Sequence, residues 1–335
     1  MFYNVETIIS LAQFKQALNQ KASNINKLLN IVKLILVLIT FGFVFYKLIY
    51  AYHIHSLYTQ FSFDFSLTNS SYFIIAFFLA GINWLTESYK WKLLVSKNEP
   101  MTLSESAKGV LSGVALGMIT PNQLGNFVGR VIHLKELSKL SGSLVSVIGN
   151  TAQVIMTLAF GILSTIWFMQ DQMVINSTIQ WVLIILLIIL LILAIFSFLN
   201  IHWVSAIARK AKWNKYLQVF TGYSKSELTV VLIYSLVRYL IFVIQYLMMV
   251  KFYHIDLDLQ TSFMCICGSL FIQAFVPSFL LLDIGMRGAS ALWLFGYYTQ
   301  QATAILLMTY SIWIINLLLP GMIGLYCIVK WRINK

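Results

Sequence analysis

Charge is scarce in this sequence: charged residues make up 10% of the 335, and only 11 of them are acidic. An ordinary soluble domain carries about 25% charged residues. With 59% hydrophobic residues and a mean hydropathy of +0.82, a water-soluble enzyme is excluded. Cysteine is almost missing as well. Cys265, Cys267 and Cys327 lie inside apolar segments and offer nothing beyond a C-x-C spacing, so a disulfide framework or zinc finger is excluded and the three read as packing residues. There is no P-loop, no H-E-x-x-H and no nucleophile elbow. His53 and His55 sit among Tyr50, Tyr52 and Tyr58, a composition that fits an interfacial aromatic belt better than a metal site. No metal, cofactor or nucleic-acid partner is expected.

What the sequence has instead is long apolar runs, such as Trp181 to Phe198. A helix needs roughly 20 such residues to cross a hydrocarbon core. Full crossings are expected near 31 to 52, 71 to 93, 143 to 169, 178 to 199, 227 to 250 and 303 to 329. Two more apolar segments, 106 to 133 and 263 to 298, are interrupted by Pro121 and Pro277 and are predicted to be re-entrant. The expected fold is therefore all-α: a polytopic membrane bundle of six spans plus two broken-helix hairpins. A cytoplasmic segment, 1 to 30, with no signal peptide, precedes a single transmembrane domain over 31 to 335.

Basic residues fix the expected orientation, because cytoplasmic loops are rich in Lys and Arg. With these spans, 18 of the 23 basic residues fall on one side: the N-terminal segment, 90 to 108, 135 to 139, 209 to 225 and the tail. Lys251 falls opposite, and Lys47, Arg130, Arg238 and Arg287 lie within or at the edge of apolar segments. Both termini are thus expected in the cytoplasm of a cell-membrane protein. The loop near 200 to 226 carries Arg209, Lys210, Lys212 and Lys215 beside Trp203 and Trp213, and reads as an amphipathic helix on anionic headgroups. The same count makes 31 to 169 and 178 to 329 two inverted halves, each with a hairpin after its second span. Transporters with such repeats hold substrate near the midplane, where the halves meet.

The most informative stretch runs from Gly109 to Arg130. Gly109, Gly113 and Gly117 form a smooth stripe that suits an internal interface or a homodimer. Thr120, Pro121, Asn122 and Gln123 read as an N-cap, first-turn proline and capping box, starting a helix inside the membrane whose free N–H groups favour an anion. Gly125, Gly129 and Arg130 follow, the last offering a planar fork suited to phosphate or a positive anchor at the cytoplasmic rim. The second hairpin has Pro277, Asp283, Gly285 and Arg287, with the acid and the arginine four apart and able to neutralise each other. Glu87 shares a face with Asn83, and Arg238 with Tyr234 and Gln245. Asn150, Gln153 and Thr157 form an uncharged stripe that suits either cavity lining or interhelical bonding. Arg130, Arg238, Asp283 and Arg287 would together cost on the order of 10 kcal/mol in lipid. They must pair or line a polar cavity.

GMITPNQLGNFVGRVIHL, YKWKLL at 89 to 94 and VPSFLLLDIGMRG at 276 to 288 resemble the membrane region shared by lysylphosphatidylglycerol synthases and free-standing flippase-like proteins, from about residue 30 onward. The resemblance implies handling of phospholipids or polyprenyl-linked sugars, with Pro121, Gly125, Gly129, Arg130, Pro277, Gly285 and Arg287 as motif positions. Asn126 stands where the resemblance calls for an acidic residue, which weakens any proton-coupling role there. Full-length synthases carry a soluble transferase domain after this region, and six residues follow Val329, so aminoacyl transfer is not expected. Three functions follow as alternatives: a translocase of an anionic phospholipid or polyprenyl phosphate; a membrane enzyme, or enzyme subunit, of aminoacyl-phospholipid or lipid-linked sugar metabolism; and a partner that positions another membrane protein such as a lipid-synthesis enzyme.

Overall fold

A computed structural model describes residues 66–120, 123–172, 177–203, 218–276 and 280–333, with isolated positions between 35 and 46. All regular structure among these residues is helical. The helices are α1 (Leu67–Val95), α2 (Leu103–Ile119), α3 (Leu124–Val131), α4 (Lys139–Gln172), α5 (Ser177–Leu199), α6 (Lys225–Phe252), α7 (Leu259–Phe275), α8 (Leu280–Phe295), α9 (Ala302–Trp313) and α10 (Leu319–Ile333). Lys139–Gln172, Thr178–Leu199, Lys225–Phe252 and Ala302–Ile333 are long and apolar enough to cross a membrane, and the chain is a helical membrane protein on that ground. In α5, aliphatic and aromatic side chains are exposed on nearly every side, Ile179, Val182, Ile185, Leu190 and Phe196 among them. Only a hydrocarbon surround makes such a surface stable.

Short polar signals start several of these helices. Thr102 with Glu105 and Ser224 with Glu227 form reciprocal capping boxes, and Asp258 accepts from the Thr261 N–H. Each such cap contributes about 1 kcal/mol. Between α9 and α10 the helix widens into a π turn at Ile314–Leu318. Pro320 lacks the N–H that would bond the Asn316 carbonyl, and the widened turn falls where that bond is missing.

The two interrupted segments are antiparallel hairpins. α2 ends at Ile119 and α3 starts at Leu124; α7 ends at Phe275 and α8 starts at Leu280. The breaks thus fall at the proline positions, while Pro121, Asn122 and Pro277 themselves lie outside the described residues. The arms of the first hairpin touch backbone to backbone. A Cβ on Gly129 would run into the Ser112 carbonyl, one on Gly125 into that of Leu116, and one on Gly109 would lie 3.0 Å from the Arg130 oxygen. The glycine stripe therefore packs within its own hairpin. In the second hairpin Gln273 donates to Ser290 Oγ at 3.0 Å, and Gly268 packs on Leu294.

α1 and α6 run antiparallel along their whole length. Asn69 donates to the Phe252 carbonyl at 3.2 Å, Gln245 to that of Ala76 at 2.8 Å, and Lys97 pairs with Glu227 at 2.8 Å. Each hairpin then leans on a helix from the other end of the chain. Gly324 of α10 lies against the Leu111 carbonyl of α2, and Ser164 of α4 donates to the Met264 carbonyl of α7 at 2.7 Å.

The expected span at 71 to 93 is one continuous helix, about 43 Å long at 1.5 Å per residue over its 29 residues. It is not among the four apolar crossings, and it buries Glu87 and Lys90. The expected span at 31 to 52, the amphipathic loop beyond Trp203, and His53 and His55 fall largely or wholly outside the described residues.

Candidate functional site

Glu87, Lys90, Arg130 and Arg238 come together in the interior from three helices. The Glu87 carboxylate takes Arg130 Nη2 on Oε1 at 2.8 Å. Its Oε2 takes Lys90 Nζ at 2.8 Å and Arg238 Nη1 at 3.3 Å. Glu87, Lys90 and Arg130 are at most 3% exposed, and Arg238 is 21% exposed. Helix geometry sets part of this. Glu87 and Lys90 are i, i+3 on α1, so they share a face, and the antiparallel partner α6 brings Ser235 and Arg238 to that face.

Each cation is held further. Lys90 donates to the Gly149 carbonyl and to Ser235 Oγ, both at 3.2 Å, so with Glu87 its three N–H groups meet three acceptors, as an ammonium requires. Arg130 Nε donates to Asn126 Oδ1 at 2.8 Å, and its guanidinium lies 5.6 Å from the Trp91 ring centre. Arg238 Nε donates to Asn83 Oδ1 at 2.9 Å and Nη1 reaches Gln153 Oε1 at 3.5 Å, while Trp84 lies 5.0 Å beneath it. Asn83 donates to Asn316 Oδ1 at 3.4 Å, tying the cluster to the π turn. Such cation–aromatic contacts gain strength where water is excluded.

Beside this cluster lies a cavity of about 330 Å³, within the range typical of small-molecule sites. Asn83, Trp84 and Arg238 line it from α1 and α6, Gln153 and Thr157 from α4, Gln123 from the tip of the first hairpin, and Asp283 and Arg287 from the second. Gln273, Trp313 and Asn316 complete its polar lining. Arg287 Nε pairs with Asp283 Oδ2 at 2.8 Å, and Trp313 Nε1 donates to the same oxygen at 3.2 Å. Both hairpin tips and both central helices therefore meet at one polar chamber.

No family model, no curated protein and no solved structure matches the chain.

Of the residues singled out from the sequence, Asn83, Glu87, Gln123, Arg130, Gln153, Thr157, Arg238, Asp283 and Arg287 belong to the cluster or the chamber. Arg130 is buried beside Glu87. Gly125 and Gly129 serve the close packing of the first hairpin, and Gly285 is a buried residue of α8. Asn150 is partly buried and does not line the cavity.

The capping box predicted at Thr120 and Gln123 needs correction. Thr120 is the C-cap of α2, and its Oγ1 accepts from the Gly125 N–H at 2.6 Å. Gln123 is the N-cap of α3, left-handed at φ 54°, with no side-chain cap bond. Thr120 thus satisfies an N–H of the new helix, but across a tight reversal rather than from within a regular first turn.

Lys90 is the member of the cluster that sequence reasoning missed. Counting it among the loop cations of 90 to 108 hid the E-x-x-K spacing at 87 to 90, which was the available signal.

Outside the membrane-crossing segments, Glu99 closes the basic end. Its carboxylate accepts the backbone N–H groups of Lys135 at 3.0 Å, Glu136 at 2.9 Å and Leu137 at 2.7 Å. Burial pushes its pKa up, but the three N–H bonds outweigh this and hold the carboxyl below its ordinary value. Among the described residues no three His, Cys, Asp or Glu side chains assemble into a metal-sized group.

Proposed function

We propose that the protein is a cell-membrane translocase of an anionic lipid, a phospholipid or polyprenyl phosphate whose headgroup enters the chamber while its chains remain in the bilayer. The observation that carries this reading is a buried excess of positive charge beside the cavity. One carboxylate, Glu87, faces Lys90, Arg130 and Arg238, while Asp283 and Arg287 neutralise each other. Two net positive charges held away from water are costly unless an anion is delivered to them.

The architecture supports the same reading. On our proposal six spans and two re-entrant hairpins form two inverted halves, with 31 to 52, α1 and α4 matching α5, α6 and α9–α10. The matched hairpins carry the same local bond: Arg130 Nε to Asn126 and Arg287 Nε to Asp283, each i, i−4 and each 2.8 Å. Lys97, Lys135 and Glu227 cluster at one end, opposite the end of Asp171, Asp256 and Tyr298. By the positive-inside rule the first is cytoplasmic, with both termini beside it. The sequence resemblance to flippase-like membrane regions agrees with this function.

The test is leaflet exchange. Purified protein in liposomes should speed the movement of labelled phosphatidylglycerol or polyprenyl phosphate between leaflets. Arg287→Gln should slow it about tenfold or more, the loss of one charge contact of some 1.4 kcal/mol; unpairing Asp283 also lowers the thermal melt, while folded protein still accumulates. Wild-type protein that moves none of several anionic lipids would overturn the proposal.

A further inference from the structure

We infer that the chamber takes a phosphate monoester, a dianion, in preference to the singly charged phosphodiester of common phospholipids. This rests on the lipid-binding reading above and names the headgroup chemistry.

The inference comes from the charge count around the cavity. Among the described residues its charged neighbourhood is Glu87, Lys90, Arg130, Arg238, Asp283 and Arg287. The second pair is closed on itself, since Asp283 Oδ2 holds both Arg287 Nε and Trp313 Nε1. The first group has three cations on one carboxylate and keeps two positive charges. Its remaining donors and acceptors are neutral: Asn83, Asn126, Gln153, Ser235 and the Gly149 carbonyl. Lys90 is an ammonium by geometry, because all three of its N–H groups have acceptors.

In a site shielded from water, a charge imbalance is felt by any ligand inside it. A diester cancels one of the two excess charges and leaves the other buried. A monoester above its second pKa of about 6 carries close to two negative charges and cancels both. Arg238 is the member of the cluster that lines the cavity, 5.0 Å from the Trp84 ring centre; its planar fork suits the two unesterified oxygens that monoester and diester both offer, so the preference comes from the charge count. Arg287 stands across the same cavity, so a phosphate between them would meet one arginine from α6 and one from the second hairpin.

The experiment compares headgroups that differ by one methyl. The full chain in neutral detergent, at about pH 8 so that the monoester is doubly ionised, is titrated calorimetrically with dioleoyl phosphatidic acid, with its methyl diester, and with glycerol 3-phosphate. Phosphatidic acid should bind at least about tenfold tighter than the methyl diester, a modest effect for one further charge in a shielded site. Gln153→Glu replaces an amide by a carboxylate of the same shape, 3.5 Å from Arg238 in the wild type, and should reduce that preference to about twofold or less. Equal binding of the two lipids overturns the inference while leaving the lipid reading in place, and so does a preference that Gln153→Glu leaves unchanged. Failure of both lipids to bind removes the lipid reading itself. Glycerol 3-phosphate binding as tightly as phosphatidic acid would keep the dianion and overturn the lipid as its source.

Discussion

The two hairpins carry the same arginine in different company. In the second, Arg287 finds its counter-ion one turn back on its own helix, at Asp283. In the first, the equivalent position is Asn126, and the acid that answers Arg130 comes from α1 instead, at Glu87. The second arginine is neutralised wherever its hairpin goes. The first is neutral only while its hairpin is docked on α1, against a carboxylate that also serves Lys90 and Arg238. The first hairpin is thereby fastened to the frame by charge. The second can shift without exposing an unpaired ion, as the proposed translocase would require of one wall of its chamber.

The sharpest way to break this contrast is to remove each acid in turn. Glu87→Gln leaves three buried cations without a counter-ion, and breaking a buried pair costs about 3–5 kcal/mol. This variant should lose most of its folded yield in detergent. Asp283→Asn unpairs a single arginine that is 15% exposed. It should cost about 1–3 kcal/mol, lowering the melting temperature while folded protein still accumulates. Equal losses measured by thermal melts would contradict the asymmetry. A smaller effect is expected from Asn126→Asp, which copies the second hairpin's arrangement into the first. It should be tolerated in folding and weaken anion binding about tenfold by removing one of the two excess charges. Unchanged binding would show that Arg130 does not contribute to the field in the chamber.

The least effect concerns pH and again separates the hairpins. The loop leaving the first is held to the end of α1 by Glu99, whose pKa is depressed. The loop leaving the second is held by Gln301, an amide that bonds the His254 carbonyl and the Asp256 N–H. A carboxyl with a lowered folded pKa adds stability that is complete above its ordinary value of 4.5 and is lost as pH falls from there through the folded value. Protection factors for hydrogen exchange at residues 135–137 should therefore fall on acidification through that window, with no matching change near 299–301. Glu99→Gln should abolish the pH dependence.

Much of the frame was legible in the sequence because it depends on local rules. Prolines break helices, and both breaks fall at Pro121 and Pro277. An acid and an arginine four apart meet on a helix, and Asp283 and Arg287 do. Apolar runs of membrane length become helices at 139–172, 177–199 and 225–252. What escaped were relations between segments distant in the chain. Glu87 and Arg130 are 43 positions apart, and no spacing rule says that they meet. The antiparallel pairing of α1 with α6 is equally silent, because apolar faces of many helices are interchangeable partners. The capping box at Thr120 failed for a different reason: Gln123 takes a left-handed backbone, so the regular first turn that such a box requires begins one residue later.

The contact between Gly324 and the Leu111 carbonyl has a consequence for biogenesis. Residues 103–131 leave the ribosome early, yet one side of that folded unit is completed only by Leu319–Ile333, made some two hundred positions later. Until then the face of α2 formed by Leu111, Ala115 and Met118 must wait in the bilayer without its mate, and long-range closures of this kind slow assembly. α10 is thus the keystone of the first hairpin, which stays incomplete until Gly324 has been threaded into place.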